Sequence, residues 1–267
     1  MSATTRRGGG PATGRWAVAG AALGLLLGLV AFAPAAWLAG AVASATGAQV
    51  RLAEPRGTLW HGNAQFVLSG GEGSREALAL PGRLEWELNL TLRGLQVRLQ
   101  AGCCTPAPLE LTLTPAWRGF GLVVEDGSSE WPAGLLAGLG APWNTVQPQG
   151  LLQFSSQRLS VEWIEGRASM RGSARLDALG MSSRLSTLRP VGSYRLSLAG
   201  SGSQAPPTLQ LQTLEGSLNL SGNGQWTGTH WVFRGEASAA PERESALGNL
   251  LNMVGRRQGA KSVISFG

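Results

Sequence analysis

Past residue 44 the dominant pattern in this chain has a period of two. Leu84, Trp86, Leu88, Leu90 and Leu92 alternate with Glu85, Glu87, Asn89 and Thr91, the spacing that sends successive side chains to opposite faces of a strand. The alternation returns in Leu95, Val97 and Leu99, in Leu109, Leu111 and Leu113, in Leu209 and Leu211, and in Leu218 and Leu220. Turn signals separate these runs: Gly94, the Cys103 to Pro108 segment, Gly127, Gly166, the Gly200 to Pro207 segment and Gly222. Short alternating runs at such intervals predict an antiparallel, all-β body. Glycine turns opening alternating strands near Gly57, Gly150 and Gly216 form a weak internal repeat, too generic to divide the body into domains.

Helical spacing interrupts this pattern in three places. The longest is the run from Trp16 to Val42, which carries no charged side chain. As a helix it would reach roughly 40 Å, more than the ~30 Å hydrocarbon core of a bilayer. Arg6, Arg7 and Arg15 precede it and no acidic residue occurs before Glu54, so the positive-inside rule puts the first 15 residues in the cytoplasm. The expected organisation is therefore a cytoplasmic arm (1–15), a transmembrane anchor (16–42) and a periplasmic β-rich domain (44–267). A cleaved signal peptide, with small residues at Ala41 to Ala43, is the competing reading. Gly20, Gly24 and Gly28 recur on one helix face and form a candidate packing surface for a second membrane helix; the chain's general glycine richness explains them as well. Two shorter helices are predicted. One begins at Trp131 and Pro132, carries Leu135, Leu136 and Leu139, and stops at Gly140. The other follows Pro241, with Glu242 and Glu244 in its first turn, Leu247, Leu250, Leu251 and Val254 as its apolar stripe, and Arg256 and Arg257 at its C-terminal end, charges that match the helix dipole. Lys261 to Phe266 reads as a last strand.

Composition narrows the chemistry. Of 267 residues 22 are basic and 16 acidic. Beyond the arm the scattered arginines leave only a small positive balance, so nucleic-acid binding has no electrostatic footprint. The single lysine, Lys261, lies outside any glycine-rich phosphate loop, and no nucleophile elbow occurs. His61 and His230, each beside a tryptophan, are read as surface or edge residues rather than metal ligands. The carboxylate pairs Glu85 with Glu87, Glu125 with Asp126, and Glu162 with Glu165 read as solvated strand or turn positions; a glycosidase would need two facing one cleft. The eight tryptophans beyond the run read as core and cross-strand residues. Cys103 and Cys104 are adjacent and have no other cysteine in the chain. In an oxidising compartment they are a candidate vicinal disulfide, with reduced thiols or pairing to another chain as the alternatives. No catalytic, cofactor-binding or metal-binding residue is assigned.

Several stretches, in this order, resemble the type II secretion system protein N family. They are Thr58 to Gly62 (TLWHG), Leu80 to Trp86 (LPGRLEW), Leu135 to Gly150 (LLAGLGAPWNTVQPQG), Leu188 to Leu196 (LRPVGSYRL), Phe233 to Glu236 (FRGE) and Leu250 to Arg257 (LLNMVGRR). The resemblance implies a single-pass inner-membrane protein with a periplasmic β domain, accessory to a machine that moves folded proteins out through an outer-membrane channel. It implies other inner-membrane secretion components as partners, with the outer-membrane secretin as a further candidate, and no catalytic motif. A more distant, architectural similarity to AsmA/TamB-like envelope proteins suggests the alternative of a lipid-binding or lipid-transfer module. The fold class expected is mainly β: one N-terminal transmembrane helix, then a twisted, incompletely closed antiparallel sheet with two short helices.

Overall fold

The computed structural model describes residues 12–267, so most of the predicted cytoplasmic arm lies outside the described residues. The apolar run is not one helix. It divides at Pro34 into α1 (Ala12–Ala31) and α2 (Ala35–Ala45), because proline removes a backbone donor and its ring opposes continuation of the preceding turn. The carbonyls freed at this break are taken up by the following hairpin. Ala33 O accepts the Leu59 N–H at 2.7 Å, and Val30 O accepts Trp60 Nε1–H at 2.8 Å.

The two halves of the run then meet different fates. In α2, Ala35 is buried, and Leu38, Ala39 and Val42 pack on the domain core. Trp16, Leu25, Leu29 and Phe32 on or beside α1 are exposed. Among the described residues no helix is long and apolar enough to cross a membrane. The single helix expected over 16–42 is thus corrected to two: a missing charge is shared by a membrane helix and a buried one, and packing assigns α2 to the second kind.

The sixteen strands among the described residues make one sheet. In chain order they are β1 (Val50–Gly57), β2 (His61–Ser69), β3 (Ala77–Ala79), β4 (Leu84–Thr91), β5 (Gly94–Ala101), β6 (Leu109–Ala116), β7 (Gly119–Val124) and β8 (Gly127–Pro132). There follow β9 (Gln149–Ile164), β10 (Arg167–Ser182), β11 (Gly192–Ser201), β12 (Thr208–Gly216), β13 (Leu218–Trp226), β14 (Trp231–Ala239), β15 (Arg256–Gln258) and β16 (Lys261–Phe266). The sheet runs β1-β2-β4-β5-β6-β7-β9-β10-β11-β12-β13-β14-β16-β15, antiparallel throughout, and is not closed. Strand β9 is long enough to take two partners on one side, β8 at Leu151 to Ser156 and β7 at Leu159 to Ile164.

Two separate cores lie toward the two ends of the sheet. The first gathers Leu52, Ala64, Leu84, Trp86 and Leu88 with Cys104 and Leu135, under α2. The second gathers Val191, Leu218 and Ala237 with Leu247, Leu250 and Leu251 of α4 (Glu244–Val254). The predicted helix after Pro132 is a 3-10 helix, Ala133–Leu139, preceded rather than opened by Trp131, which belongs to β8. The helix after Pro241 ends at Val254, so Arg256 and Arg257, expected at its C-terminal end, belong to β15 instead; the last strand lies where the sequence predicts it. The α3 turn (Trp143–Val146) was not predicted.

On β4 the burial expected through Leu92 stops early. Leu84, Trp86 and Leu88 are buried, whereas Leu90 is 72% and Leu92 109% exposed. The alternation persists beyond the point where the first core ends, and Leu92 lies in the turn after the strand.

Candidate functional site: the apolar face of the sheet

Residues directly opposite in antiparallel strands share a face, so the register traces one surface across the molecule. One row passes from Leu88 to Val97, Leu111, Val124 and Leu159. Another passes from Leu90 to Leu95, Leu113, Leu122, Val161 and Met170. A third runs from Phe154 to Leu176, Leu196, Leu211 and Gly222. These rows join the two cores into a single apolar face. Among the described residues no charged side chain stands on it from β4 to β14.

The opposite face is polar and paired. Arg98 lies between Glu87 (3.3 Å) and Glu110 (2.8 Å), all on neighbouring strands. Arg195 donates two hydrogen bonds of 2.7 Å to the Asp177 carboxylate across the β10–β11 ladder. Those bonds hold the Asp177 carboxyl below the ordinary carboxylate range, against the desolvation that would raise it. Glu87 is lowered in the same direction, first by the side-chain hydrogen bond from Asn89 and then by His61 and Arg98.

The apolar face is curved toward itself. The Trp163 ring on β9 meets the Trp226 ring on β13 at 6.4 Å, and Trp226 meets Trp231 at 5.5 Å, both edge to face. Such contact across intervening strands requires the β9–β13 limb to curl toward the leucines. Glycines permit close seating of the large rings. A Cβ at Gly62 would lie 2.5 Å from Trp86 Cζ2, and one at Gly222 would lie 2.4 Å from Phe233 Cζ. Between the cores Leu176, Leu196, Leu198, Leu209 and Leu211 remain half-buried. Trp226 Nε1 and the Tyr194 hydroxyl are buried without a hydrogen-bond partner, and burial pushes the Tyr194 phenol up from its usual range.

The individual residues singled out by sequence do not converge. His61 opens β2, exposed, with Nε2 3.5 Å from Glu87 Oε1. His230 lies in the β13–β14 turn beside Thr229, and nine strands separate β2 from β14 in the sheet. Among the described residues no three His, Cys, Asp or Glu side chains gather as metal ligands. Glu165 pairs with Arg118 at 3.0 Å and the Asp126 carboxylate accepts the Arg158 N–H, so these carboxylates have separate, structural neighbours. Cys103 and Cys104 are joined sulfur to sulfur in the β5–β6 connection, with Cys104 buried in the first core. Gly20, Gly24 and Gly28 have nothing within 4 Å of the position a Cβ would take. Sequence reasoning missed the Trp163–Trp226 contact and the Asp177–Arg195 pair; neither has a local signal, because each joins residues whose proximity depends on register or curl.

An open sheet leaves edges whose unpaired backbone groups are a further candidate for partner binding. The free edge of β1 carries Arg51, Glu54, Pro55 and Arg56, with Glu54 at φ 47° and a register shift between Ala53 and Arg56. Proline, charge and a bulge are the devices that discourage strand addition, so this edge is a poor docking site and the apolar face the better one.

Comparison with known proteins agrees with this architecture at one level only. No curated protein and no solved structure matches the chain. The family described as type II secretion system (T2SS), protein N, matches residues 48–264, which span the sheet from before β1 into β16 and leave out α1 and α2. The chain therefore belongs to the type II secretion system protein N family and takes part in type II protein secretion.

Proposed function

We propose that the protein is a non-enzymatic scaffold of the secretion apparatus, tethered to the inner membrane by α1 with its β domain in the periplasm, where it holds other secretion components near the inner-membrane platform. The observation that carries the tether is the exposure of α1: its leucines, valines and Trp16 find no protein cover, and uncovered apolar surface on this scale marks an interaction with membrane or protein. The scaffold reading is supported by the family match and by polar groups that satisfy one another across strands instead of converging on a cleft.

The test compares two sets of variants in secretion of a type II substrate. His61→Ala, His230→Ala and Glu162→Ala should each leave secretion near normal. Replacing residues 1–31 by a cleavable signal peptide should impair it, since tethering sets the effective concentration at the membrane; α2 must be kept because it belongs to the core. A reporter fused after Gly267 should be active only when exported. Loss of secretion from one polar substitution at normal abundance, together with full function of the untethered domain, would overturn the scaffold reading.

A further inference from the structure

We propose that the edge of the sheet at which α1 joins the domain docks on the surface of the phospholipid bilayer, with the turn residues Leu92 and Trp117 entering the headgroup layer and Arg93, Arg118 and Arg167 meeting lipid phosphates. The proposal rests on the tether reading above and adds to it a second, peripheral contact made by the β domain itself.

No linker separates α1 from the sheet. Pro34 pairs with Thr58 in an isolated β-bridge, the Ala33 and Val30 carbonyls accept from Leu59 and Trp60, and α2 belongs to the core. The β1–β2 turn is therefore held against the end of α1. Residues 16–31 rise by about 24 Å as a helix, less than the ~30 Å hydrocarbon core, so the Ala31 end and the turn bound to it lie no farther out than the headgroup layer. β4 runs beside β2 as far as the His61–Glu87 pair and then continues to Thr91. The β4–β5 turn thus stands farther along the strands than the turn that α1 holds. The β6–β7 and β9–β10 turns follow on the same edge, set side by side by the Gly119–Ile164 pair and by a 3.2 Å hydrogen bond from the Glu165 N–H to the Arg118 carbonyl.

These turns carry the side chains that a bilayer interface accepts. Thr91 pairs with Gly94 and Ala116 with Gly119, so Leu92 with Arg93 and Trp117 with Arg118 alone make two of the turns. Each presents one apolar side chain and one arginine. Leu92, Trp117 and Leu90 are the most exposed large apolar side chains among the described residues outside α1 and α2. Water solvates such tips poorly, whereas the interface takes an apolar body beside a cation. Glu165 is held by Arg118 at 3.0 Å, and Glu162 lies back within β9, so positive charge predominates at the tips and suits anionic lipid. A protein partner at this edge would have to displace the bilayer that α1 brings to it.

The test reconstitutes the full chain in vesicles of phosphatidylethanolamine and phosphatidylglycerol, with one added cysteine per variant carrying a nitrobenzoxadiazole label. The sites are Leu92→Cys and Trp117→Cys at the turns, Leu25→Cys in α1, and Glu72→Cys in the exposed β2–β3 connection at the opposite edge. A phosphatidylcholine with a doxyl group on one acyl chain quenches emission from within the bilayer. Labels at 25, 92 and 117 should shift to shorter wavelength and lose intensity with the quencher, and the label at 72 should do neither. Arg93→Glu combined with Arg167→Glu should reduce quenching at 92 and 117 and leave that at 25 unchanged. Quenching at 25 while 92 and 117 behave like 72 overturns the docking and leaves the tether standing; no quenching at 25 removes the tether and the docking with it. Labels at 92 and 117 that are shielded yet not quenched mean that protein covers the turns, which also overturns the proposal, as does quenching there that ignores the reversal of the arginines.

Discussion

Trp163 and Trp226 touch, with ring centroids 6.4 Å apart, although three strands, β10, β11 and β12, lie between the strands that carry them. A flat sheet would hold these rings more than 15 Å apart at ~4.8 Å per strand. The contact therefore reports the curl of the limb, and Trp231 extends it. Edge-to-face aromatic pairs contribute about 0.5–1.5 kcal/mol beyond burial. In a double-mutant cycle, Trp163→Ala and Trp226→Ala should couple by that amount when unfolding is followed in urea. Strict additivity would mean that the curl does not depend on the pair.

Trp86 and Glu87 are neighbours on opposite faces of β4. Trp86 is 4% exposed and donates from Nε1 to the Leu59 carbonyl at 3.0 Å. Trp86→Ala should cost about 3–5 kcal/mol of stability. Glu87→Ala, on the polar face among solvent-screened partners, should leave the denaturant midpoint nearly unchanged. Denaturant midpoints measured for both variants check the contrast, and similar costs would mean that the faces are misassigned.

Phe233 lies over Gly222, and its ring stacks on Phe266 at 5.0 Å. Because a Cβ at residue 222 would come within 2.4 Å of that ring and 2.9 Å of the Arg234 carbonyl, Gly222→Ala should destabilise by about 1–3 kcal/mol through overpacking. Thermal unfolding measures the loss. Combining it with Phe233→Leu should recover part of the clash term, so the two substitutions should cost less together than the sum of their separate costs.

The Asp177–Arg195 pair predicts an acid dependence of defined sign. The folded state holds the Asp177 carboxyl below its unfolded value of about 4, so at low pH the unfolded chain takes up a proton first. The stabilisation from this group is fully present above about pH 4 and is lost as pH falls through the folded value. The stability difference between wild type and Asp177→Asn, measured in urea, should hold steady from pH 7 to about pH 5 and shrink below about pH 4. A difference that stays constant down to pH 2 would remove the pair from the account.

Local pattern was sufficient to make the chain legible as an antiparallel β protein. Alternation at Leu84 to Leu88 and Leu109 to Leu113 is a property of neighbours in sequence, and so are the proline and charge signals that located the helix after Pro241. The order of short motifs from Thr58 to Arg257 was enough to suggest the family. Three things were decided only by tertiary structure. The run from Trp16 to Val42 divides at Pro34, and α2 becomes core, because an apolar helix reads the same in sequence whether lipid or protein covers it. Leu88 is buried and Leu90 exposed within one unbroken alternation, because burial depends on how far the first core extends over the strand. The apolar face closes on itself at Trp163 and Trp226, because curl is the sum of many strand-to-strand rotations and has no residue-level signature. Periodicity fixes which side of a strand is apolar; only the assembled sheet determines what that side faces.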